Sequence, residues 1–347
     1  MFSSVSVVSF VSFVFLAPVG QTMRAWRGSG ACRRTHAVTC STVLALVLTG
    51  MHAHAQQPPS PPALPTAYRG SEIDRALQAR DWPKAEALLV AAIETAPNSH
   101  ALLQALGSVF LARQKPLNAA IAIKKAEALG PIDNSTRFTL ALAYLALERG
   151  DWARPELERL AAAEPANVTY DYWLGRIDYD AGHYAAAARR FERVLAADPS
   201  SVRAHDNLGL SYDALNEPDR ALAHHRKAAE LNRAAETKSA WPPLNFAIVL
   251  RRGGDLAGAE ALLREAIGYE GTLPQAHYQL GMVLEQDDRL EEAVRALELA
   301  ADRDPTYADP HYALARVYRL LGRANEAQRA LAAFERLRDT SREVRQR

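Results

Sequence analysis

The chain has 347 residues, of which 48% are apolar and 23% are charged, a composition typical of globular proteins and not of disordered ones. Its formal net charge of +1 hides an asymmetry, because residues 1–55 carry four arginines and no acidic residue. The remaining 292 residues hold 37 basic and 40 acidic side chains, a net charge of −3, which argues against a protein that binds nucleic acid by neutralising phosphates.

The first 55 residues are typical of a targeting segment. Basic residues after Met23 precede the apolar run "STVLALVLTG" (residues 41–50), and Ala53-His54-Ala55 matches an A-x-A cleavage signal. The sequence therefore predicts a signal peptide that is cut before Gln56, with translation starting at Met23 and export to the periplasm. The alternative is an uncleaved N-terminal membrane anchor, since residues 1–22 are apolar and uncharged.

Cys32 and Cys40 both precede the predicted cut. The mature chain would therefore have no disulfide, no thiolate metal ligand and no cysteine nucleophile. After the cut, "QQPPSPPALP" (residues 56–65) is predicted to be an extended, proline-rich linker.

From about residue 66 the chain repeats itself every 34 residues. Prolines recur at this interval at Pro97, Pro131, Pro165 and Pro199. An alanine series continues through the chain with one slip of four residues: Ala85, Ala119, Ala153, Ala187, Ala221, Ala259, Ala293 and Ala327. A fixed period of this length indicates a repeat architecture.

Each repeat unit is predicted to be a pair of helices. In "NLGLSY" (residues 207–212) Leu208, Gly209 and Tyr212 share one helical face, and "NEPD" (residues 216–219) then separates the two helices. Small residues in both helices allow close approach of the backbones. Larger residues of the second helix are expected to fill the gap toward the next unit: Leu89, Ile123, Phe191, Leu263, Leu297 and Leu331.

This pattern closely resembles the tetratricopeptide repeat family, whose signature is W-x2-L-G-x2-Y…A-x3-F…P. The stretch "YWLGRIDYDAGHYAAAARRFERVLAADP" (residues 172–199) carries it, and "YQLGMVLEQDDRLEEAVRALELAADRDP" (residues 278–305) repeats it. The resemblance implies an all-α, right-handed superhelical solenoid of about eight hairpins. Units one to five would occupy residues 66–235 and units six to eight residues 236–341, followed by a short tail at 342–347.

By the same resemblance, the first helices would line a concave groove that holds an extended peptide or a partner helix. The groove positions map onto these side chains: Phe138, Tyr172, Trp173, Arg176, Tyr179, Arg203, Asp206, Asn207, Asp213, Asn245, Tyr278, Tyr312, Arg316 and Arg319. Rings give contact area, and Asn or Arg can satisfy a ligand's backbone or carboxylates. Apolar residues near the end, Leu331, Phe334 and Leu337, are expected to leave an edge open to a partner or a second copy.

Signs of an enzyme are weak. The sequence has no glycine-rich phosphate loop, no H-E-x-x-H and no G-x-S-x-G, and we predict no catalytic residue, cofactor or metal. His205, His277 and His311 occupy one equivalent position in three units, which favours a structural role. Two N-x-S/T motifs, at Asn134 and Asn167, are interpreted as chance matches in a bacterial periplasm.

Two functional hypotheses remain. The first is a non-enzymatic scaffold that binds a protein or peptide partner within a cell-envelope assembly, secretion or export system. The second is a carbohydrate-binding subunit of a polysaccharide export or modification system, whose aromatic groove would stack on glycan.

The adjacent His224 and His225 raise a separate question, because paired imidazoles can bind metal. Neighbours in a helix point about 100° apart, so the pair is not predicted to share one ion. His225 takes the position that is apolar in other units, and Arg233 replaces a proline just before the four-residue slip. We therefore predict a weak, wet, pH-sensitive seam after unit five, which His225→Leu would stabilise.

Overall fold

A computed structural model of the chain describes residues 68–346, with side chains described to residue 340. The predicted signal peptide, both cysteines and the proline-rich linker lie outside the described residues. Within the described part, none of the helices is both long and apolar enough to cross a membrane.

The described residues fold into sixteen α-helices without a β-strand, arranged as eight consecutive hairpins. The first helices are α1 (Glu72–Gln78), α3 (His100–Ala112), α5 (Asn134–Ala146), α7 (Thr169–Asp180), α9 (Val202–Ala214), α11 (Trp241–Arg252), α13 (Pro274–Gln286) and α15 (Ala308–Leu320). The second helices are α2 (Trp82–Thr95), α4 (Pro116–Leu129), α6 (Gly150–Ala163), α8 (Tyr184–Ala197), α10 (Pro218–Ala234), α12 (Leu256–Tyr269), α14 (Leu290–Arg303) and α16 (Ala324–Gln346). The predicted all-α repeat solenoid is confirmed, and α16 continues through the residues assigned to a tail.

The helices begin and end for local reasons. Aspartate side chains cap the first turns of α2, α5 and α12 by accepting a backbone N–H, as Asp133 does from Thr136 at 2.7 Å. Prolines at the first position start α4 and α10, where the missing N–H costs nothing. Between the helices of most hairpins one residue takes a left-handed conformation, such as Gly182 with φ of 78° or Asn216 with φ of 60°.

Within a hairpin, a small residue of the first helix lies against a large residue of the second. A Cβ atom built on Gly175 would lie 2.9 Å from the Phe191 ring, and one on Gly281 would lie 2.5 Å from Leu297. Ile123 meets Gly107 in the same way. Ile123, Phe191 and Leu297 therefore close their own hairpins, where the absence of a Cβ lets the two backbones approach. The contact with the next unit that is expected of this position stays a prediction.

Successive first helices also contact one another, in the pairs α3–α5, α7–α9, α9–α11, α11–α13 and α13–α15. Each second helix meanwhile packs on the first helix of the next unit. The first helices from α7 to α15 thus form a continuous layer, with α3 and α5 in contact before it, and we call the side-chain surface of the first helices the groove face.

The apolar core consists of four clusters along the chain. Ile93 and Phe110 pack against both of the first two clusters in chain order, and Leu280 packs against both of the last two. The second cluster ends at Ala221 and the third begins at Ala229. Between them, the fully buried His225 occupies the core position.

Because glycine lets the two helices of a hairpin approach closely, a methyl group added at such a glycine should destabilise the protein. Gly281→Ala should destabilise the protein by about 1–3 kcal/mol, because Leu297 is completely buried and cannot move aside without strain. The matched control is Gly268→Ala in α12, where a Cβ would meet nothing within 4 Å. This control should stabilise by about 0.5–1 kcal/mol, since alanine favours the helix. Urea denaturation measures both, and equal effects would contradict the proposed packing.

Candidate partner-binding groove

Side-chain contacts on the groove face link successive first helices from α7 to α15. Asn207 of α9 donates to the Tyr172 hydroxyl of α7 at 3.4 Å, and Asn245 of α11 donates to Asp206 of α9 at 2.9 Å. Further along, Arg252 pairs with Asp213 at 2.5 Å, and Arg316 of α15 pairs with Glu285 of α13. Asn207 and Asn245 hold equivalent repeat positions, so the same geometry recurs wherever the sequence supplies a donor and an acceptor.

A cluster around Tyr172 brings together most of the residues predicted for units four and five. The Trp173 ring meets the Tyr172 ring edge-on at 5.4 Å, and the Arg203 guanidinium lies 4.5 Å from the centre of the Tyr172 ring. Tyr172 and Trp173 are themselves buried, with 7% and 9% of their surfaces exposed. Arg176 lies close enough to Tyr172 for the phenol to raise the pKa of its guanidinium. We call Tyr172, Trp173, Arg176 and Arg203 the Tyr172 cluster.

Other predicted groove residues lie outside this cluster. Phe138 packs edge-on against Tyr170 at 5.4 Å, and Tyr179 meets Tyr184 at 5.3 Å. Burial, followed by the neighbouring Tyr184 and Asp213, raises the pKa of Tyr179 to about 12, so its hydroxyl stays protonated and can donate. All these rings lie partly within the layer and are not free platforms.

The predicted residues of units seven and eight form a separate group. Tyr278 contacts Tyr307 at 5.4 Å, and Tyr312, although 48% exposed, contacts Phe334 of α16 at 5.2 Å. Arg319 donates to the Ala315 carbonyl of its own helix at 3.1 Å. Leu331 packs partly against the last apolar cluster, so part of the predicted open edge is occupied by its own unit.

Eight buried side-chain polar atoms among the described residues have no hydrogen-bond partner, and seven of these belong to first helices. They are Thr136 Oγ1 on α5, Trp173 Nε1, Arg176 Nε and Asp180 Oδ1 on α7, Arg251 Nε on α11, and Gln275 Oε1 and Gln279 Oε1 on α13. A buried polar atom without a partner costs about 1–3 kcal/mol. Their concentration on the first helices is what a surface built to exchange hydrogen bonds with a ligand requires.

Sequence reasoning missed Arg251, Gln275 and Gln279. The repeat carries the signal that finds them: Arg251 takes the position of Asp213, Gln275 that of Arg203, and Gln279 that of Asn207 and Asn245. Arg251 is half-buried and contacts only Gln286 by a long hydrogen bond of 3.4 Å. Burial, together with the charges of Arg252 and Arg316, lowers its pKa.

The junction after unit five differs from its prediction. The His225 Nδ1 donates to Asp206 Oδ1 at 3.2 Å, and Asp206 accepts from Asn245 of the next unit through its other oxygen. Asn232 and Arg233 add bonds to Ser239 and Glu265 of the following segment. The predicted wet seam is wrong, because His225 is completely buried, faces its own hairpin through Gly209 and reaches unit six through Asp206.

Two of the three repeated histidines, His205 and His277, are structural hydrogen-bond donors. His205 Nε2 donates to the Pro199 carbonyl at 3.2 Å, and His277 donates to the Gly271 carbonyl at 3.0 Å. The second nitrogen of His205 lies 3.0 Å from Nδ1 of His224. Among the described residues there is no group of three or more potential metal ligands.

The two N-x-S/T motifs also have a structural explanation. Asn134 Nδ2 and Asn167 Nδ2 both donate to the Glu164 carboxylate, at 2.8 and 3.2 Å, and Tyr170 donates to it as well. These hydrogen bonds lower the pKa of Glu164. The asparagines therefore close the turn between units three and four.

Fold and groove together define the chain as a helical-hairpin repeat protein. Sequence models described as tetratricopeptide repeat match residues 71–133, 174–236 and 244–308, and a second such model matches residues 284–345. These matches cover more than half of the sequence, so the chain belongs to the tetratricopeptide repeat family.

Two relatives are similar to this chain over only part of their length. The cellulose synthase operon protein C of Escherichia coli (strain K12) is 29% identical over 177 residues, which are 47% of this chain and 15% of the relative. Tetratricopeptide repeat protein 8 of Caenorhabditis elegans is 25% identical over 193 residues, which are 55% of this chain and 38% of the relative. The chain thus spans well under half the length of either relative.

Solved structures share the fold. The Cut9 and Hcn1 hetero-tetramer of APC/C matches 80% of this chain and 52% of its own with a TM-score of 0.60 and 14% identity. PilW, described as a widely conserved type IV pilus biogenesis factor, matches 57% of this chain and 90% of its own with a TM-score of 0.53 and 21% identity.

The buried His225–Asp206 contact reverses the expected effect of His225→Leu. Leucine fits the position but leaves Asp206 without one of its two donors, so we expect a loss of about 1–3 kcal/mol in the free energy of unfolding. The double variant Asp206→Ala/His225→Leu should lose less than the sum of the two single variants, since both break one interaction. Chemical denaturation measures the cycle, and a stabilising His225→Leu would contradict this assignment.

At the same junction, His224 should make the stability of the folded protein sensitive to acid. Burial, followed by the neighbouring His205, Arg220 and His225, lowers the pKa of His224 from its ordinary value of 6.5 to about 4. Between these values the unfolded chain binds a proton that the folded chain does not, so stability falls as the pH drops from 6.5 toward 4. After allowing for the half-exposed ring, the contribution is about 1–2 kcal/mol.

Urea denaturation at a series of pH values checks this. His224→Gln should flatten the decline between pH 6.5 and 5, a window above the titration of ordinary carboxylates. His183→Gln, in the exposed turn before α8, is the control and should leave the slope unchanged. A wild-type slope in the His224 variant would contradict the role of this ring.

Proposed function

We propose that this protein is a non-enzymatic adaptor that holds an extended segment of a protein partner on its groove face. The observation that carries the proposal is the set of seven partnerless polar atoms on the first helices. The atoms include N–H donors on Trp173 and Arg176 and carbonyl acceptors on Gln275 and Gln279. An extended peptide offers both acceptors and donors along its backbone, which matches this mixture.

We propose the periplasm as the place of action and a cell-envelope assembly, secretion or export system as the context. The support for location is the sequence before Gln56, with its basic start, apolar run and A-x-A signal. The support for context is similarity to proteins named for a cellulose synthase operon and for type IV pilus biogenesis.

Carbohydrate binding is the second candidate, and the relative named for a cellulose synthase operon is its support. The groove geometry favours it less. A sugar ring stacks on an open aromatic face, whereas the Tyr172 ring is buried and carries Arg203 on it. Tyr312 is the more open ring, but it already contacts Phe334.

Site-specific photo-crosslinking in living cells tests where a partner binds. A photoreactive residue at Leu210 or Met282, both half-buried on first helices, should crosslink to a discrete protein. The matched controls are Leu117 and Leu299, exposed residues of the second helices α4 and α14, which should give no such product. Equal products from both sets, or products only from the controls, would overturn the groove as the binding surface.

Fractionation of the same cells tests the location. We expect the adaptor in the periplasmic fraction with a mature N-terminus at Gln56. An intact, membrane-bound N-terminus would instead support the uncleaved anchor.

A further inference from the structure

The arginines of the groove face fall into two sets. Arg252 and Arg316 are neutralised by Asp213 and Glu285 of the preceding first helices. Arg176, Arg203, Arg251 and Arg319 have no ion pair within the described residues. Arg176 and Arg251 are the most informative of these, because both are half-buried and both have a buried Nε–H without an acceptor.

The Tyr172 cluster concentrates unused donors. Trp173 Nε1 and Arg176 Nε are one helical turn apart on α7, and neither has an acceptor. Arg203 lies over the Tyr172 ring with no carboxylate partner. Asp180, one turn beyond Arg176, is the acid that acts on Arg176, and burial raises its pKa although the charge of Arg176 lowers it. The positive charge of Arg203 is not compensated by an ion pair within the described residues.

Arg251 forms a second centre of the same kind. Its neighbours Arg252 and Arg316 are each bonded to an acid, so those two acids are already used. Arg251 itself is left with the Gln286 amide. A guanidinium held away from water in this way gains most from a ligand carboxylate, to which it can donate two parallel hydrogen bonds.

From these observations we infer that the groove binds an acidic, extended peptide segment, with one carboxylate at the Tyr172 cluster and a second at Arg251. This rests on the proposed adaptor function and specifies the chemistry of its partner. The two centres are two repeat units apart, about 20 Å at ordinary helix spacing. An extended chain covers that distance in about six residues.

A protein segment fits better than an acidic polysaccharide, because Tyr172 and Trp173 are buried and offer no open face on which a sugar ring could stack. The partnerless Gln275 and Gln279 oxygens can accept the N–H groups that a peptide backbone supplies at every residue. The chain's own N-terminal region is not the occupant, because residues 1–67 contain no aspartate or glutamate.

A display library of random peptides, panned against the full-length protein, tests the inference. We expect enriched sequences to carry two acidic residues about six positions apart. An enriched peptide should lose about tenfold in affinity when either acid is changed to its amide, and a similar factor with Arg176→Gln or Arg251→Gln. Arg226→Gln, an exposed arginine on the second helix α10, is the matched control and should bind like the wild type.

Circular dichroism verifies that each variant is folded, and Arg203→Gln replaces Arg176→Gln if the latter is not. Enrichment of neutral or basic peptides, or no enrichment of acidic ones, overturns the inference. Affinity that is unchanged in the groove variants overturns it as well. Binding of sodium alginate that depends on Arg176 while no peptide is enriched would replace the peptide by an acidic glycan. Photo-crosslinking from Leu210 that is unaffected by the arginine variants would leave the adaptor function standing and remove only the acidic partner.

Discussion

The structure depends on the close approach of two helices within each hairpin. Gly107, Gly175, Gly209 and Gly281 have no Cβ, and a large side chain of the second helix takes the space that each leaves. This contact uses one face of each first helix for the interior of its own unit. The remaining faces are free to meet the neighbouring units and to form the groove. Spacing within a hairpin therefore determines where every groove side chain lies.

Polar contacts then determine which parts of the groove are available to a partner. Where donor and acceptor meet between successive first helices, as at Asn245 and Asp206, the groups satisfy each other and join two units. Where the neighbouring unit supplies no complement, as at Arg251, a half-buried charge remains. The groove thus has sections in which the polar groups satisfy each other and sections in which they have no partner. The second kind is concentrated at the Tyr172 cluster and at Arg251. An adaptor that grips an extended chain at separated points needs such an arrangement.

The period of 34 residues was sufficient to predict the fold, because glycine, alanine and proline act locally and recur in phase. It also predicted that Tyr172, Arg203 and Asn207 occupy neighbouring positions on the first helices, and these side chains contact one another. It failed for His225. The repeat assigned this residue to the seam with the next unit, but its ring lies against Gly209 of its own hairpin. Partners such as Asp206 for His225, or the lack of one for Arg251, depend on which side chains of the next unit come within reach. The sequence of a single repeat does not give the distances between side chains of neighbouring units, so the charge pairing in the groove could be determined only from the structure.

The polar core position of His225 has a consequence for how the solenoid folds. In repeat proteins each unit is coupled to its neighbours alone, and cooperativity depends on the strength of each interface. Ile93, Phe110 and Leu280 carry continuous apolar packing across the other cluster boundaries. At His225 directional hydrogen bonds, which depend on geometry and protonation, add to the apolar packing of Leu222 and Ala229 against the third cluster. The interface between the five units before this point and the three after it is therefore partly polar, and part of its strength comes from His225, Asp206 and Asn245.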